Sequence, residues 1–254
     1  MASGPASTGA AWRPVNRAKA YELVVERIEE QILAGTLRVG DRLPAERDLA
    51  SMLEVSRAAV REAIRTLEAQ GVVHAGVRVG PEGGTFVSSL PSEALTRMLR
   101  LHVALSNFPM PDVIEARVML ERHSARLAAT QATPEDLTAL REVFEAMADL
   151  STSREEFNDL DTRFHLLIAE AGRNRLVADM TISIRESMRT PILASFRASE
   201  SWENLTEDLN HGHGAIFAAI EAGDAEAAAQ AVEEHIRYAY DALRYRKDEV
   251  REEG

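Results

Sequence analysis

The segment Pro44–Gly71 constrains the fold more than any other part of the chain, because its pattern predicts two short helices joined by a tight turn. In the second helix, Val60, Ile64 and Leu67 recur at the spacing of one buried face. A serine stands at the N-cap position and arginines follow another face: Ser56, Arg57, Arg61 and Arg65. Such a helix suits the major groove of DNA, although a solvated basic face on an ordinary helix has the same pattern.

Short elements are predicted on both sides of this segment. Ala20–Ala34 has the periodicity of a helix, and Gly35 ends it. Downstream, Val72–Ala75 and Thr85–Val87 have the composition of two strands around a glycine-rich stretch. The sequence therefore predicts three helices followed by a small hairpin or wing.

Three runs of sequence carry a resemblance to a known family. They are G-D-x-L-P-A-E-R-x-L-A from Gly40, S-R-x-x-V-R-E-A-I from Ser56, and G-G-T-F-V from Gly83. The array resembles the winged helix-turn-helix of the GntR family of bacterial transcription regulators. The resemblance implies that DNA is contacted by Arg47, Ser56, Arg57 and Arg61, and that a wing near Gly83 and Gly84 reaches the minor groove.

Some positions depart from the family pattern. Glu54 stands in the turn between the two helices, where such proteins usually have glycine. If that position is left-handed, Glu54 carries about 1 kcal/mol of backbone strain. Ala58 and Ala59 replace residues that often carry hydroxyl groups, and the wing holds one arginine, Arg78, opposed by Glu82. DNA binding is therefore expected to depend on the helix arginines more than on the wing.

Composition restricts the class of protein. A chain of 254 residues with 45% hydrophobic content can form one large domain or two ordinary ones, and it contains no cysteine for disulfides or thiolate metal sites. No apolar run approaches the roughly twenty residues that span a bilayer. The first residues lack a signal-peptide pattern and are expected to form a flexible tail. These features predict a soluble cytoplasmic protein without membrane contact.

The net charge of −12 is divided unevenly along the chain. Residues 1–90 contain eleven basic and eleven acidic residues, whereas residues 91–254 contain eighteen and thirty. A neutral first part can engage phosphate, and an acidic second part is repelled by it. We therefore expect a tail (1–16), a DNA-binding domain (17–90) and a second domain with another role (91–254).

The second domain has a helical pattern throughout. Short connections containing proline or glycine separate seven predicted helices. The expected architecture is an all-α antiparallel bundle, which makes the whole chain mainly α. The predicted ranges are 92–106, 111–130, 133–150, 153–171, 174–198, 203–222 and 224–247.

A second group of residues points to metal chemistry. Asp161 and His165 are spaced i, i+4 on one predicted helix, so their side chains share a face. His213 and His235 lie on the two last helices. One carboxylate and three imidazoles are ligands for a divalent metal such as zinc, nickel or manganese. The alternative is that each histidine is separately a satisfied core or surface residue.

The bundle resembles the FCD effector domain found in the FadR-type branch of GntR regulators. The likeness rests on E-x-R-x-x-x-E from Glu115, D-x-x-F-H from Asp161, and H-x-x-I-x-x-A-I from His213, and it ends at His235. It implies that Asp161, His165, His213 and His235 bind metal, with zinc expected first. It also implies a small carboxylate effector.

Three residues are candidates for binding that effector. Arg117 can pair with a carboxylate bidentately, although an ion pair with Glu121 is the alternative. Asn174 can donate a hydrogen bond or simply cap the next helix, and Trp202 can close the pocket or only pack.

The sequence thus predicts a ligand-responsive transcription regulator, not an enzyme. By the family resemblance it is a homodimeric repressor that binds a palindromic DNA operator and releases it when an organic acid binds. Two alternatives remain at this point. One is a DNA-targeted metalloenzyme, and the other is a regulator with structural histidines that senses an acyl ligand.

Overall fold

The computed structural model describes residues 18–76, 84–88, 91–105, 107–149 and 152–243. The chain divides into two compact units, Met1–Pro91 and Ser92–Gly254. The predicted tail, Gly83 and the wing residues Arg78 and Glu82 lie outside the described residues.

The first unit contains three helices and a hairpin. Its helices are α1 (Ala18–Leu33), α2 (Glu46–Met52) and α3 (Arg57–Ala69), and its strands are β1 (Val73–Gly76) and β2 (Gly84–Val87). The strands pair antiparallel, with Val73 opposite Val87. A core of apolar side chains joins the helices to the strands and includes Val24, Ile28, Leu49, Val60, Ile64, Leu67, Val73 and Val87. This is the winged helix-turn-helix that the sequence predicts.

Helix α3 begins and packs as its sequence pattern predicts. Ser56 is the N-cap, and its hydroxyl accepts a hydrogen bond from the backbone N–H of Ala59 at 3.2 Å. Val60 and Leu67 are fully buried. Because one face is fixed in the core, the arginine-bearing face of α3 is left exposed to solvent.

The second unit is a bundle of seven described helices, as predicted. Helix α5 packs against four others, α7 to α10, and α6 packs against α7 and α9. Large apolar side chains fill the centre, among them Leu140, Met147, Phe157, Phe164, Met188, Phe196 and Ile216. The helices are α4 (Pro91–Ala104), α5 (Met110–Gln131), α6 (Pro134–Met147), α7 (Arg154–Ala171), α8 (Arg175–Ala198), α9 (Trp202–Glu221) and α10 (Ala225–Leu243).

Helix boundaries in the bundle follow the capping chemistry of the sequence. Thr133 and Asp136 form a reciprocal capping box at the start of α6, and Ser153 caps α7. Pro191 lies inside α8. Within the described ranges, every helix is too short or too polar to cross a bilayer.

Glu54 has a left-handed backbone. Its φ angle is +54° in the turn between α2 and α3, and Arg173 has the same φ between α7 and α8. A residue with a Cβ is strained in this region, whereas glycine is not. The turn geometry thus places the strain at the position where the family pattern has glycine.

We expect Glu54→Gly to raise the free energy of unfolding by about 1 kcal/mol, because glycine removes the Cβ strain. Urea unfolding of the full chain measures this change. Glu54→Ala is the matched control, since it removes the same carboxylate but keeps the Cβ. Equal stabilisation by alanine and glycine would show that the charge of Glu54, not its backbone, is responsible.

Candidate metal centre and DNA-binding face

Four side chains from three helices converge inside the bundle. They are Asp161 and His165 of α7, His213 of α9 and His235 of α10, and all four are buried. One ligand atom from each residue lies within 4.8 Å of the ligand atoms of the others. The helical spacing of Asp161 and His165 places these two side chains on one face of α7. The packing of α9 and α10 against the bundle brings His213 and His235 to them.

The carboxylate of Asp161 faces the histidines with one oxygen. Its Oδ1 lies 3.0 Å from Nε2 of His213 and 3.9 Å from Nε2 of His165. The ring centroids of His213 and His235 are 4.3 Å apart, and those of His165 and His235 are 5.3 Å apart. The donor atoms are therefore grouped tightly enough to surround one small cation.

A glycine makes the close approach of α9 and α10 possible. A Cβ on Gly212 would lie 2.6 Å from Nδ1 of His235, far closer than such atoms approach in proteins. Gly212 directly precedes His213, so the absence of a side chain there lets His235 come within reach of the other ligands. A glycine inside a helical pattern indicates a close approach at that position, but it does not identify His235 as the residue that approaches.

The protonation states of Asp161, His165 and His235 suit a cation. Burial, together with the charge of Arg185, lowers the pKa of His165 to about 4. Burial and the neighbouring histidines hold the pKa of His235 well below its usual range. Burial would raise the pKa of Asp161, but Arg185 and His213 outweigh it and hold that pKa well below its ordinary value. Neutral imidazoles and an ionised carboxylate are the forms that bind metal.

The residues present therefore fit a divalent metal ion. The buried Nε2 of His165 has no hydrogen-bond partner, which is costly for a buried polar atom unless a ligand occupies the space before it. Three nitrogens and one oxygen form a donor set that zinc, nickel and manganese accept.

Glu121 of α5 contacts Nδ1 of His165, the ring nitrogen opposite the candidate ligand atom Nε2. Its Oε2 lies 2.8 Å from Nδ1 of His165, and its Oε1 accepts a hydrogen bond from Nε of Arg117 at 2.9 Å. Burial would raise the pKa of Glu121, but Arg117, His165 and Arg185 together hold it well below its usual range. An ionised Glu121 favours a proton on Nδ1 and leaves the lone pair of Nε2 directed at the site. Arg117 thus makes the ion pair that was the alternative to effector binding, and the pair is buried.

Arg185 of α8 is a site residue that sequence reasoning missed. Its side chain is buried; Nη2 contacts Oδ2 of Asp161, and Nη1 lies 3.8 Å from Oε2 of Glu121. Arg185 occupies a core position of α8, in register with Thr181, Met188 and Ile192. An arginine at an apolar position of a helical repeat was the signal that could have identified it.

The structure does not bring the other two predicted effector residues to the metal ligands. Asn174 is exposed, and its side chain caps α8 by accepting a hydrogen bond from Val177 N–H at 3.2 Å. Trp202 packs edge-on against Phe157, with ring centroids 5.5 Å apart. The ring centroids of Phe157 and His213 are 6.3 Å apart. Phe157 therefore lies between Trp202 and the candidate ligand His213.

The predicted DNA-binding arginines lie on the surface of the first unit. Arg47, Arg57 and Arg61 are exposed. Arg61 pairs with Glu46 of α2 at 3.0 Å, and Arg47 pairs with Asp48 at 3.1 Å. Exposed ion pairs of this kind are weak, so phosphate can replace the carboxylate partner.

The wing is described in part. Gly84 begins β2, where a Cβ would lie 2.5 Å from Nε of Arg42. The glycine therefore lets Arg42 lie across the base of the wing. Gly83 is outside the described residues, and the prediction for it stays a prediction.

Comparisons with known proteins agree with this architecture. The gntR family of bacterial regulatory proteins matches residues 20–87, and the FCD domain matches residues 112–238. The chain is 31% identical over 233 residues to the "Putative L-lactate dehydrogenase operon regulatory protein" of Escherichia coli (strain K12). The aligned region covers 90% of this chain and 88% of that protein. It is 29% identical to the "Glc operon transcriptional activator" of the same strain, over 85% of each chain.

One solved structure is similar to this chain over most of its length. "Streptococcus agalactiae GntR" matches with a TM-score of 0.55 and 26% identity, over 86% of this chain and 98% of that chain. The two E. coli relatives are named as regulators rather than enzymes, which agrees with the sequence-based prediction for this chain.

We expect Glu121→Gln to weaken zinc binding about 10- to 100-fold, because the amide no longer fixes the orientation and tautomer of His165. Competition for zinc with a chromogenic chelator measures the affinity. Glu115→Gln is the matched control: Glu115 lies on the same helix, but it is exposed and pairs with Arg237. Unchanged zinc affinity in Glu121→Gln would remove Glu121 from the site.

Proposed function

This chain belongs to the gntR family of bacterial transcription regulators and carries an FCD domain, and on that premise we propose that it senses a small organic acid through a metal ion. The observation that carries the proposal is the buried group of Asp161, His165, His213 and His235, whose donor atoms lie within 4.8 Å of one another. Zinc is the ion we favour, with nickel and manganese as the alternatives.

The chemistry of the site supports an acidic effector. A metal held by four protein ligands retains open positions when its geometry is octahedral, and carboxylate oxygens are suitable ligands for them. The names of the two E. coli relatives refer to the L-lactate dehydrogenase and Glc operons. We infer that the effector of this chain is a small carboxylate, with 2-hydroxy acids as the first compounds to test.

The output of the sensor is DNA binding by the first unit. We infer that Arg47, Arg57 and Arg61 contact an operator, with Ser56 at the N-terminus of the recognition helix α3. A homodimer presents two such helices to the half-sites of a palindrome, so a change in their separation changes affinity. In our proposal, effector binding in the helical unit shifts this separation and releases the operator, which makes the protein a repressor.

The two rival functions have less support. The relatives are regulators, so a metalloenzyme fused to a DNA-binding domain does not describe this chain. A sensor of acyl ligands needs an apolar cavity. Here the four candidate ligands contact two buried charged residues, Glu121 and Arg185, as well as the rings of Phe157 and Phe164.

We expect Arg57→Ala and Arg61→Ala each to weaken specific operator binding about 5- to 150-fold, because each removes a charged contact worth about 1–3 kcal/mol. Gel shifts with fragments that the wild-type protein selects from a random DNA pool measure this loss. Arg27→Ala is the control, since Arg27 is exposed on α1 and pairs only locally with Glu30. Wild-type affinity in both α3 variants would reject α3 as the recognition helix.

We expect His165→Ala to lose metal and the response to organic acids while keeping operator binding, because the change lies in the second unit. Elemental analysis reports the metal, and gel shifts with and without a panel of small 2-hydroxy acids report the response. His211→Ala is the control, since His211 is exposed two residues from His213. An unaltered acid response in His165→Ala would contradict sensing through the metal.

A further inference from the structure

Among the described residues, Arg185 and Arg117 are the two buried arginines. The guanidinium of Arg185 contacts Asp161 through Nη2, while Nη1 lies 3.8 Å from Glu121. Its Nε is buried and has no hydrogen-bond partner. A guanidinium carries five N–H donors, and a buried donor without an acceptor is costly. The arrangement thus keeps an unused cationic donor next to the metal ligands.

The formal charges at the site balance before any ion is added. Among the described residues, the buried Lys, Arg, Asp and Glu side chains are Arg117, Glu121, Asp161 and Arg185, two cations and two anions. Histidines that bind metal do so as neutral imidazoles. A divalent ion in this group therefore leaves two uncompensated positive charges in a buried environment. Such a site favours an anion strongly.

Two neutral polar side chains lie on α7 close to Asp161 in the sequence. Asn158 precedes Asp161 by three residues and His165 by seven, which places it on their face of the helix; Thr162 follows Asn158 by one turn, and both are buried. The amide oxygen and nitrogen of Asn158 and the hydroxyl of Thr162 have no hydrogen-bond partners. Buried atoms of this kind are usually satisfied by a ligand or by ordered water. Together they provide donors and acceptors for hydroxyl groups rather than for an alkyl chain.

We propose that Arg185 is the specificity-determining residue that binds the carboxylate of the effector, and that Asn158 and Thr162 bind its hydroxyl group. The inference rests on the proposed organic-acid sensing function. Because Oδ1 of Asp161 faces the histidines and Oδ2 contacts Arg185, the two oxygens serve different partners. Arg185 can therefore hold the effector next to the metal without taking a ligand away from it. Arg117 donates a hydrogen bond to Glu121 and does not bind the effector in this proposal.

The test uses zinc-loaded full-length protein with L-lactate, and with lactamide as its neutral counterpart. Wild-type protein is expected to bind lactate and not lactamide in calorimetric titrations. Arg185→Gln is expected to lose about 10- to 100-fold in lactate affinity, the effect of losing a charged hydrogen-bonded pair. Arg185→Lys keeps the charge but not the planar fork of the guanidinium. Its lactate affinity is expected to lie between the affinities of the wild-type protein and Arg185→Gln. Arg189→Gln is the control, since Arg189 lies one turn further along α8 and pairs with Asp159 on the surface.

Zinc affinity is measured in parallel by competition with a chelator, and it is expected to change less than lactate affinity. Wild-type lactate affinity in Arg185→Gln, or in Arg185→Lys if the glutamine variant does not fold, overturns the assignment. A loss of zinc affinity equal to the loss of lactate affinity also overturns it, because Arg185 would then act only through Asp161. If the wild-type protein binds zinc but neither lactate nor another small hydroxy acid, the organic-acid proposal itself fails, and this inference fails with it.

Discussion

The helical unit depends on a buried ion network, Arg117–Glu121 and Arg185–Asp161, that joins three helices around the histidines. Burying four charges is unfavourable unless each is paired, and removal of one partner from such a network costs about 3–5 kcal/mol. Here each carboxylate has one oxygen next to an arginine and another next to a histidine. The network therefore fixes the positions of Asp161 and His165 on α7 while it holds α5, α7 and α8 together.

The network also explains how this unit can respond to a ligand under the proposed function. A cation and an anion that arrive together change the charge at the centre of the bundle, where the dielectric constant is low and the contacts are fixed. Helices α7 to α10 all contribute a side chain to the candidate site, so a small change there acts on most of the bundle. Coupling to DNA then requires only that two arrangements of these helices have different affinity for the effector.

Much of this could be predicted from the sequence, for identifiable reasons. The buried face of α3 and the seven bundle helices follow from periodicity and capping residues, and the pairing of Asp161 with His165 follows from helical spacing. The approach of His213 and His235 depends on how α9 and α10 pack, which local patterns do not determine. Arg185 was missed because arginine usually lies on the surface, and Arg117 turned inward because α5 is buried on several sides. Asn174 and Trp202 have local roles, in capping and packing, that the sequence could not separate from ligand binding.

Under the proposed function, one metal ion is held by three imidazoles and a carboxylate inside the bundle. Zinc K-edge X-ray absorption of the zinc-loaded full-length protein tests it directly, because imidazole ligands give a distinct multiple-scattering pattern. We expect three imidazoles and oxygen ligands at about 2.0–2.2 Å, with added oxygen scattering when a small hydroxy acid binds. A spectrum with fewer than two imidazoles, or zinc bound only to oxygen, would contradict it.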